Sequence, residues 1–174
     1  MAPTLTDTLC TRCGLCCDGT LFGEVELSGW AEAIQMEVLG LNIEDDNGEG
    51  GRAMLQQPCT ALKGTTCSVY AHRPKCCRTF ECKLLQDAQQ GVVPVELAQQ
   101  RIAEALRRAR RIHALLSQLG DKDKGLPLKE RAAAMLSRDA GSDQAIVDKR
   151  AELGAEMSAL GKLIRKSFLG HGWR

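Results

Sequence analysis

Four cysteines fall within eight residues near the start of the chain, in the run Cys10-Thr-Arg-Cys13-Gly-Leu-Cys16-Cys17, and no other feature constrains the fold as much. Thiolates are ligands of choice for zinc and for iron–sulfur clusters, and a C-x2-C step lets two sulfurs from one turn converge on one metal. The run is two such steps sharing Cys13, followed by an adjacent cysteine, and Gly14 allows the tight turn that this crowding needs. Five more cysteines follow at Cys59, Cys67, Cys76, Cys77 and Cys82. The pattern points to metal binding and is silent about what the metal is for.

Disulfides are the competing use of nine cysteines. An odd count fits bridges poorly, and the residues before Cys10 have neither the basic nor the apolar region of a secretory signal. The expectation is a cytoplasmic chain with reduced thiols and no membrane span. Net charge is +1, which exerts no general pull on nucleic acid. Lys63, Arg73, Lys75, Arg78 and Lys83 face only Glu81 between residues 59 and 83, a balance read as cations offsetting bound thiolates.

Composition separates two regions, a cysteine-cluster region over 1–91 and a helical region over 92–174 packed on it. The chain is 44% hydrophobic but only 3% aromatic, so aliphatic helices can pack while the cysteine half has little to build a core from. The predicted fold is mainly α: an irregular, metal-nucleated N-terminal half with short strands, then a bundle of amphipathic helices. Residues 1–9 read as a short lead-in. Residues 23–27 alternate like a strand, and Ser28 reads as the cap of a helix near 29–39 with Trp30, Ile34 and Val38 inward and Trp30 as a core anchor. The acidic, glycine-rich stretch 42–52 reads as a solvated turn leading to a returning strand over 52–57.

A turn about Lys63-Gly64 is expected to bring Cys59 and Cys67 together. Pro74 keeps Arg73 out of a helix, so 68–82 reads as extended or turning, with Cys82 opening a short helix closed by Gly91. Beyond residue 92 the period is clear. Pro94 starts a helix with Ala98, Ile102, Ala105, Ala109, Ile112, Leu116 and Leu119 inward and Gly120 as its stop. Pro127 begins a shorter helix carrying Leu128, Ala132, Met135 and Leu136. Ser142 reads as the cap of a last helix with Ile146, Leu153, Met157, Leu160 and Ile164 inward. The tail from Gly170, with His171, reads as loose. Such a bundle offers a surface for a homodimer or another protein partner.

The two cysteine segments resemble the CxxCxxCC (YkgJ-like) family of bacterial zinc- or iron-chelating proteins. The first signature stands as Cys10-Thr-Arg-Cys13-Gly-Leu-Cys16-Cys17. The second stands as Pro58-Cys59, Cys67-Ser68-Val69-Tyr70, Arg73-Pro74 and Cys77-Arg78-Thr79-Phe80-Glu81-Cys82. The resemblance implies metal ligation by eight thiols, Cys10, Cys13, Cys16, Cys17, Cys59, Cys67, Cys77 and Cys82, and leaves Cys76 as a surplus thiol. It covers residues 10–82 and gives no support to the helical half. Flagellin lysine methylases are similar in carrying a related cysteine cluster, which keeps a methyl-transfer role open.

Three function classes follow. The first is a metal-cluster protein of redox, electron transfer or metal handling. The second is a zinc-stapled interaction module with a helical partner-binding half, and the third an enzyme, or an accessory to a metal-dependent methyl-transfer system. No H-E-x-x-H, dinucleotide fingerprint or nucleophile elbow supports an enzyme, and His72, His113 and His171 are scattered and read as structural or solvated. The C-x2-C-x2-C spacing favours an iron–sulfur cluster or iron over zinc. Arg107, Arg108, Arg110 and Arg111 read as a solvated basic face rather than a nucleic-acid surface. Adjacent side chains in an extended segment leave in opposite directions, so Cys16 and Cys17 are expected to serve different metal atoms, or one of them to stay free. Cys59, Cys67, Cys77 and Cys82 then complete an interleaved or polynuclear centre.

Overall fold

The structure is a computed structural model that describes residues 4–48, 50–138 and 143–170. The chain is mainly α with short strands in its first half. It opens with helix α1 (Leu5–Cys13), where the sequence reading had only a lead-in. Thr4 and Asp7 form a reciprocal capping box, an S/T-x-x-acid pattern present in the sequence, and Gly14 ends the helix in the left-handed region at φ +70°. The cysteine run therefore begins on a helix and leaves it at a glycine.

Strand β1 (Glu24–Glu26) pairs antiparallel with β3 (Ala53–Gln56), which pairs on its other side with β2 (Ile43–Asp45). The acidic loop is the turn between β2 and β3, as expected. Asp46 accepts from Arg52 N–H at 2.8 Å and pairs with its guanidinium, closing the loop on itself. Strands β4 (Leu62–Lys63) and β5 (Thr66–Cys67) make a small hairpin about Gly64.

Helix α2 (Trp30–Val38) corrects two expectations. Its cap is Gly29, and Ser28 instead gives its backbone N–H to the Glu32 carboxylate at 2.9 Å. The inward residues are Ala33 and Met36, whereas Trp30, Ile34 and Val38 are 39%, 59% and 82% exposed. Trp30 is not a core anchor. The physical reason is Glu32, which also accepts from Lys75 N–H at 2.7 Å and so turns this helix by its acidic side toward the cysteine segment. Only the small Ala33 and the pliable Met36 then lie over the sheet.

Arg73 is extended, as Pro74 requires, but the segment after it is helix α3 (Lys75–Thr79), preceded by a 3₁₀ turn at Tyr70–His72. Helix α4 (Lys83–Gln89) opens at Cys82 as expected. The later helices are α5 (Val95–Gln118), α6 (Leu128–Ser137) and α7 (Gln144–Ile164), the first two starting directly after Pro94 and Pro127. Asp143 caps α7 through Ala145 N–H at 2.9 Å; Ser142, assigned that role from sequence, lies outside the described residues, as does the tail after Gly170. Ile146 is exposed rather than inward, because the first turn of α7 runs past the core. Arg165–Leu169 continue as a π-helical turn that buries Phe168 to 1% exposure.

The apolar interior has two parts. The larger runs through α4 to α7 and takes in Leu9 and Leu15 from the cysteine run. The smaller holds Leu27, Ala33, Met36, Leu41, Ala53, Leu55 and Ala61, with Cys59, Cys67, Cys76 and Cys77 packed against it. Cys10, Cys13 and Cys82 pack instead against the larger one. The arginine run of α5 is partly an inter-helix seam: Arg108 pairs with Glu156 of α7 at 2.9 Å, and Arg111 pairs with Glu152.

Candidate metal centre

All nine thiols line one cavity of about 670 Å³ between the two cores. Backbone contacts bring the distant segments together. Thr65 in the β4–β5 turn donates its hydroxyl to Thr11 O at 2.6 Å, and a Cβ on Gly14 would stand 3.2 Å from Thr65 Cα. Cys59 N–H donates to Cys17 O at 2.7 Å, which sets these two cysteines side by side. Gly19, at φ +80°, threads between Pro58 and Pro127, where a Cβ would stand 3.1 Å from Pro127 Cα. Leu128 N–H then donates to Gly19 O at 3.0 Å. The end of the cysteine run is thereby fastened to the start of α6.

The thiols fall into two neighbourhoods. Burial pushes Cys10 up to about 11, with Cys82 as its next influence, and pushes Cys13 up to about 12, where Cys82 and Cys10 add to the rise. Cys16 is raised by burial and then by Cys13 and Cys82. Cys17 is raised to about 12 by burial and then by Cys59 and Cys67. The sulfur of Cys76 raises Cys77, with burial next and Cys17 and Cys59 following. Cys17 acts on Cys16 as well, after Cys13 and Cys82. Packing divides the thiols: Cys10, Cys13 and Cys82 lie against the larger core, and Cys59, Cys67, Cys76 and Cys77 against the smaller, with Cys17 tied to Cys59 through the backbone.

Among the described residues, no three histidine, cysteine, aspartate or glutamate side chains are drawn together closely enough to hold an ion. The thiols stand around the cavity instead of closing on a point. Their chemistry fits zinc or iron, for nine soft donors line one cavity and outnumber its three carboxylates, Glu24, Glu26 and Glu81. Arg73 is the cation that works against burial, lowering Cys10 and Cys17. It is held by stacking 3.5 Å over the Tyr70 ring and by donating Nε–H to Tyr70 O at 3.0 Å. Of the five basic residues singled out from sequence, Lys83 pairs with Asp87 and Lys63 donates to Thr60 O. Arg73 and Arg78 line the cavity.

A family model described as "CxxCxxCC: Putative zinc- or iron-chelating domain" matches residues 9–103. The chain belongs to this family. Neither the curated proteins nor the solved structures hold a match to it. The matched span takes in all nine cysteines and the first turns of α5.

Sequence reading missed two features beside the centre. Phe22 and Phe80 meet edge to face with ring centroids 5.2 Å apart and both line the cavity; nothing in their spacing announces the pair. Half-buried His113 has its Nδ1 3.2 Å from Arg131, whose guanidinium is paired with Asp121 at 2.6 Å; both charged partners are buried. Asp18, next to Cys17, acts electrostatically on this histidine. His72 is exposed.

Proposed function

We propose that this chain holds an iron–sulfur or zinc centre through eight thiolates and serves in redox, electron transfer or metal handling. Cys10, Cys13, Cys16 and Cys82 form one half of the ligand set, and Cys17, Cys59, Cys67 and Cys77 the other. The observation that supports this reading is the lining of one cavity by all nine thiols, with Cys10, Cys13 and Cys82 packed against one core, Cys59, Cys67 and Cys77 against the other, and Cys17 tied to Cys59 through the backbone. The C-x2-C-x2-C spacing favours iron–sulfur. When bound, such a group supplies either a reversible one-electron couple or a structural cross-link.

The chain's own residues prepare for it in three ways. Burial pushes the Cys10, Cys13 and Cys17 thiols above the ordinary 9.0, so loading releases their protons and weakens as pH falls. Arg73 supplies a fixed positive charge that favours the thiolate form of Cys10 and Cys17. The apolar wall of Leu9, Leu55, Leu85 and Phe168 limits water around the sulfurs.

The decisive experiment is anaerobic purification of the full chain with quantification of iron, sulfide and zinc, repeated for Cys16→Ser and Cys17→Ser. The two variants should lose different portions of the metal. Loss of the same portion by both would overturn the division, and metal-free wild type would overturn the reading.

A further inference from the structure

Cys76 is the thiol that the eight-ligand arrangement does not use, yet it lines the same cavity as the others. Its sulfur stands 4.0 Å from that of Cys77. Two sulfurs bound to one tetrahedral ion at about 2.3 Å are themselves about 3.8 Å apart, so this pair is already close to the spacing of two ligands on a single metal. The backbone explains how neighbours manage it. Both lie on α3, where consecutive side chains are about 100° apart around the axis rather than sent to opposite faces as in a strand. Lys75, the residue before Cys76, donates its backbone N–H to Glu32 of α2 at 2.7 Å and fixes the start of this helix.

The second group therefore offers five thiols where a tetrahedral ion takes four. We propose that Cys76 is an exchange ligand, which takes the coordination position of Cys77 and gives the bound metal a stepwise route in and out. This rests on the reading of Cys17, Cys59, Cys67 and Cys77 as one ligand group. In the exchange, Cys76 Sγ forms a bond to the metal as the bond to Cys77 Sγ breaks. The proton released by Cys76 passes to the departing Cys77 thiolate. The number of thiolates and the oxidation state of the metal are unchanged, and no further reactant is needed.

The test uses the full chain, reduced and loaded anaerobically with zinc, as wild type, Cys76→Ser, Cys77→Ser and the double variant. Zinc content is measured first, then the rate of zinc transfer to an excess of a chromophoric chelator. Cys76→Ser should hold as much zinc as wild type and release its faster-transferring portion about tenfold more slowly, on the scale expected for losing one supporting group. Cys77→Ser should keep that portion with about tenfold weaker affinity, because Cys76 takes over, and the double variant should lose it. Release from Cys76→Ser at the wild-type rate overturns the proposal, as does a Cys77→Ser variant as empty as the double. Should Cys77→Ser fail to fold, the rate comparison with Cys76→Ser decides alone. A wild type that takes up no zinc overturns the ligand-group reading, and the exchange with it.

Discussion

At the scale of single residues, burial dominates the chemistry. Cys10 ionises near 11 in place of the ordinary 9.0, so at pH 8 its thiolate fraction is about a hundredfold below that of a free thiol. Alkylation of the metal-free chain at Cys10, followed by mass spectrometry, should be slower than that of free cysteine by about that factor and should accelerate up to pH 11. Reaction at the free-thiol rate would mean that the cavity does not shelter the sulfur. The Asp121–Arg131 pair is buried more deeply than any other ion pair among the described residues. Burial acts to raise the Asp121 carboxyl, and the Arg131 hydrogen bond and charge outweigh it, leaving it lowered. Asp121→Ala strands the guanidinium and should cost about 3–5 kcal/mol in denaturant unfolding. His113 is lowered first by burial and then by Arg131, with Asp18 and Asp121 opposing. A histidine that ionises more readily in the unfolded chain contributes its full stability above the unfolded value near 6.5 and loses it as pH falls through the folded value. His113→Gln should flatten that acid-side loss.

Elements show where sequence is a sufficient guide. The starts of α5 and α6 were legible because Pro94 and Pro127 act locally, and the inward residues of α5 were legible because its long period leaves one apolar face. Helix α2 was not, since its orientation depends on Glu32 reaching Lys75, a contact between residues far apart in sequence. Trp30→Ala should accordingly cost only about 1 kcal/mol, on the scale of its one hydrogen bond, from Nε1–H to Gly51 O at 2.9 Å, rather than the roughly 3–5 kcal/mol of a buried tryptophan. Melting temperatures of this variant and wild type check it. Phe168 escaped notice because the period of α7 gives way to a π-helical turn before it. For the candidate centre, the gathering of the cysteines into one place was legible from spacing, but their arrangement depends on the hairpin docking at Gly14. Gly14→Ala combines a left-handed backbone at φ +70° with a 3.2 Å approach to the Thr65 backbone. It should cost at least about 1–2 kcal/mol and weaken metal retention, read by thermal unfolding and metal content together.

For the whole molecule, the division into two cores sets what metal removal can do. The larger core joins five helices, α1 and α4 to α7, through twenty buried side chains, with Cys10, Cys13 and Cys82 only at its edge. The smaller one is built of seven buried side chains, three of them alanine, and four cysteines pack against it. Chelation of the reduced protein should leave most helical circular dichroism intact and selectively speed amide exchange in β1, β2 and β3. Equal acceleration in α5 would show that the cores are not separable. Neither set of thiols is local in the chain: Cys82 packs on the same core as Cys10 and Cys13, and Cys59 is bonded through its backbone to Cys17. The protein is made from the N-terminus at about 5–20 residues per second, so the four leading thiols wait on the order of several seconds for their last neighbour. During that wait they are open to oxidants and to any passing ion. The group around Cys17 gains Cys59 and Cys67 with the β4–β5 hairpin and is complete once Cys77 of α3 has emerged, ahead of the group around Cys10, which waits for Cys82 at the start of α4. The order of synthesis thus imposes an order of maturation that a symmetric arrangement of the sulfurs would lack.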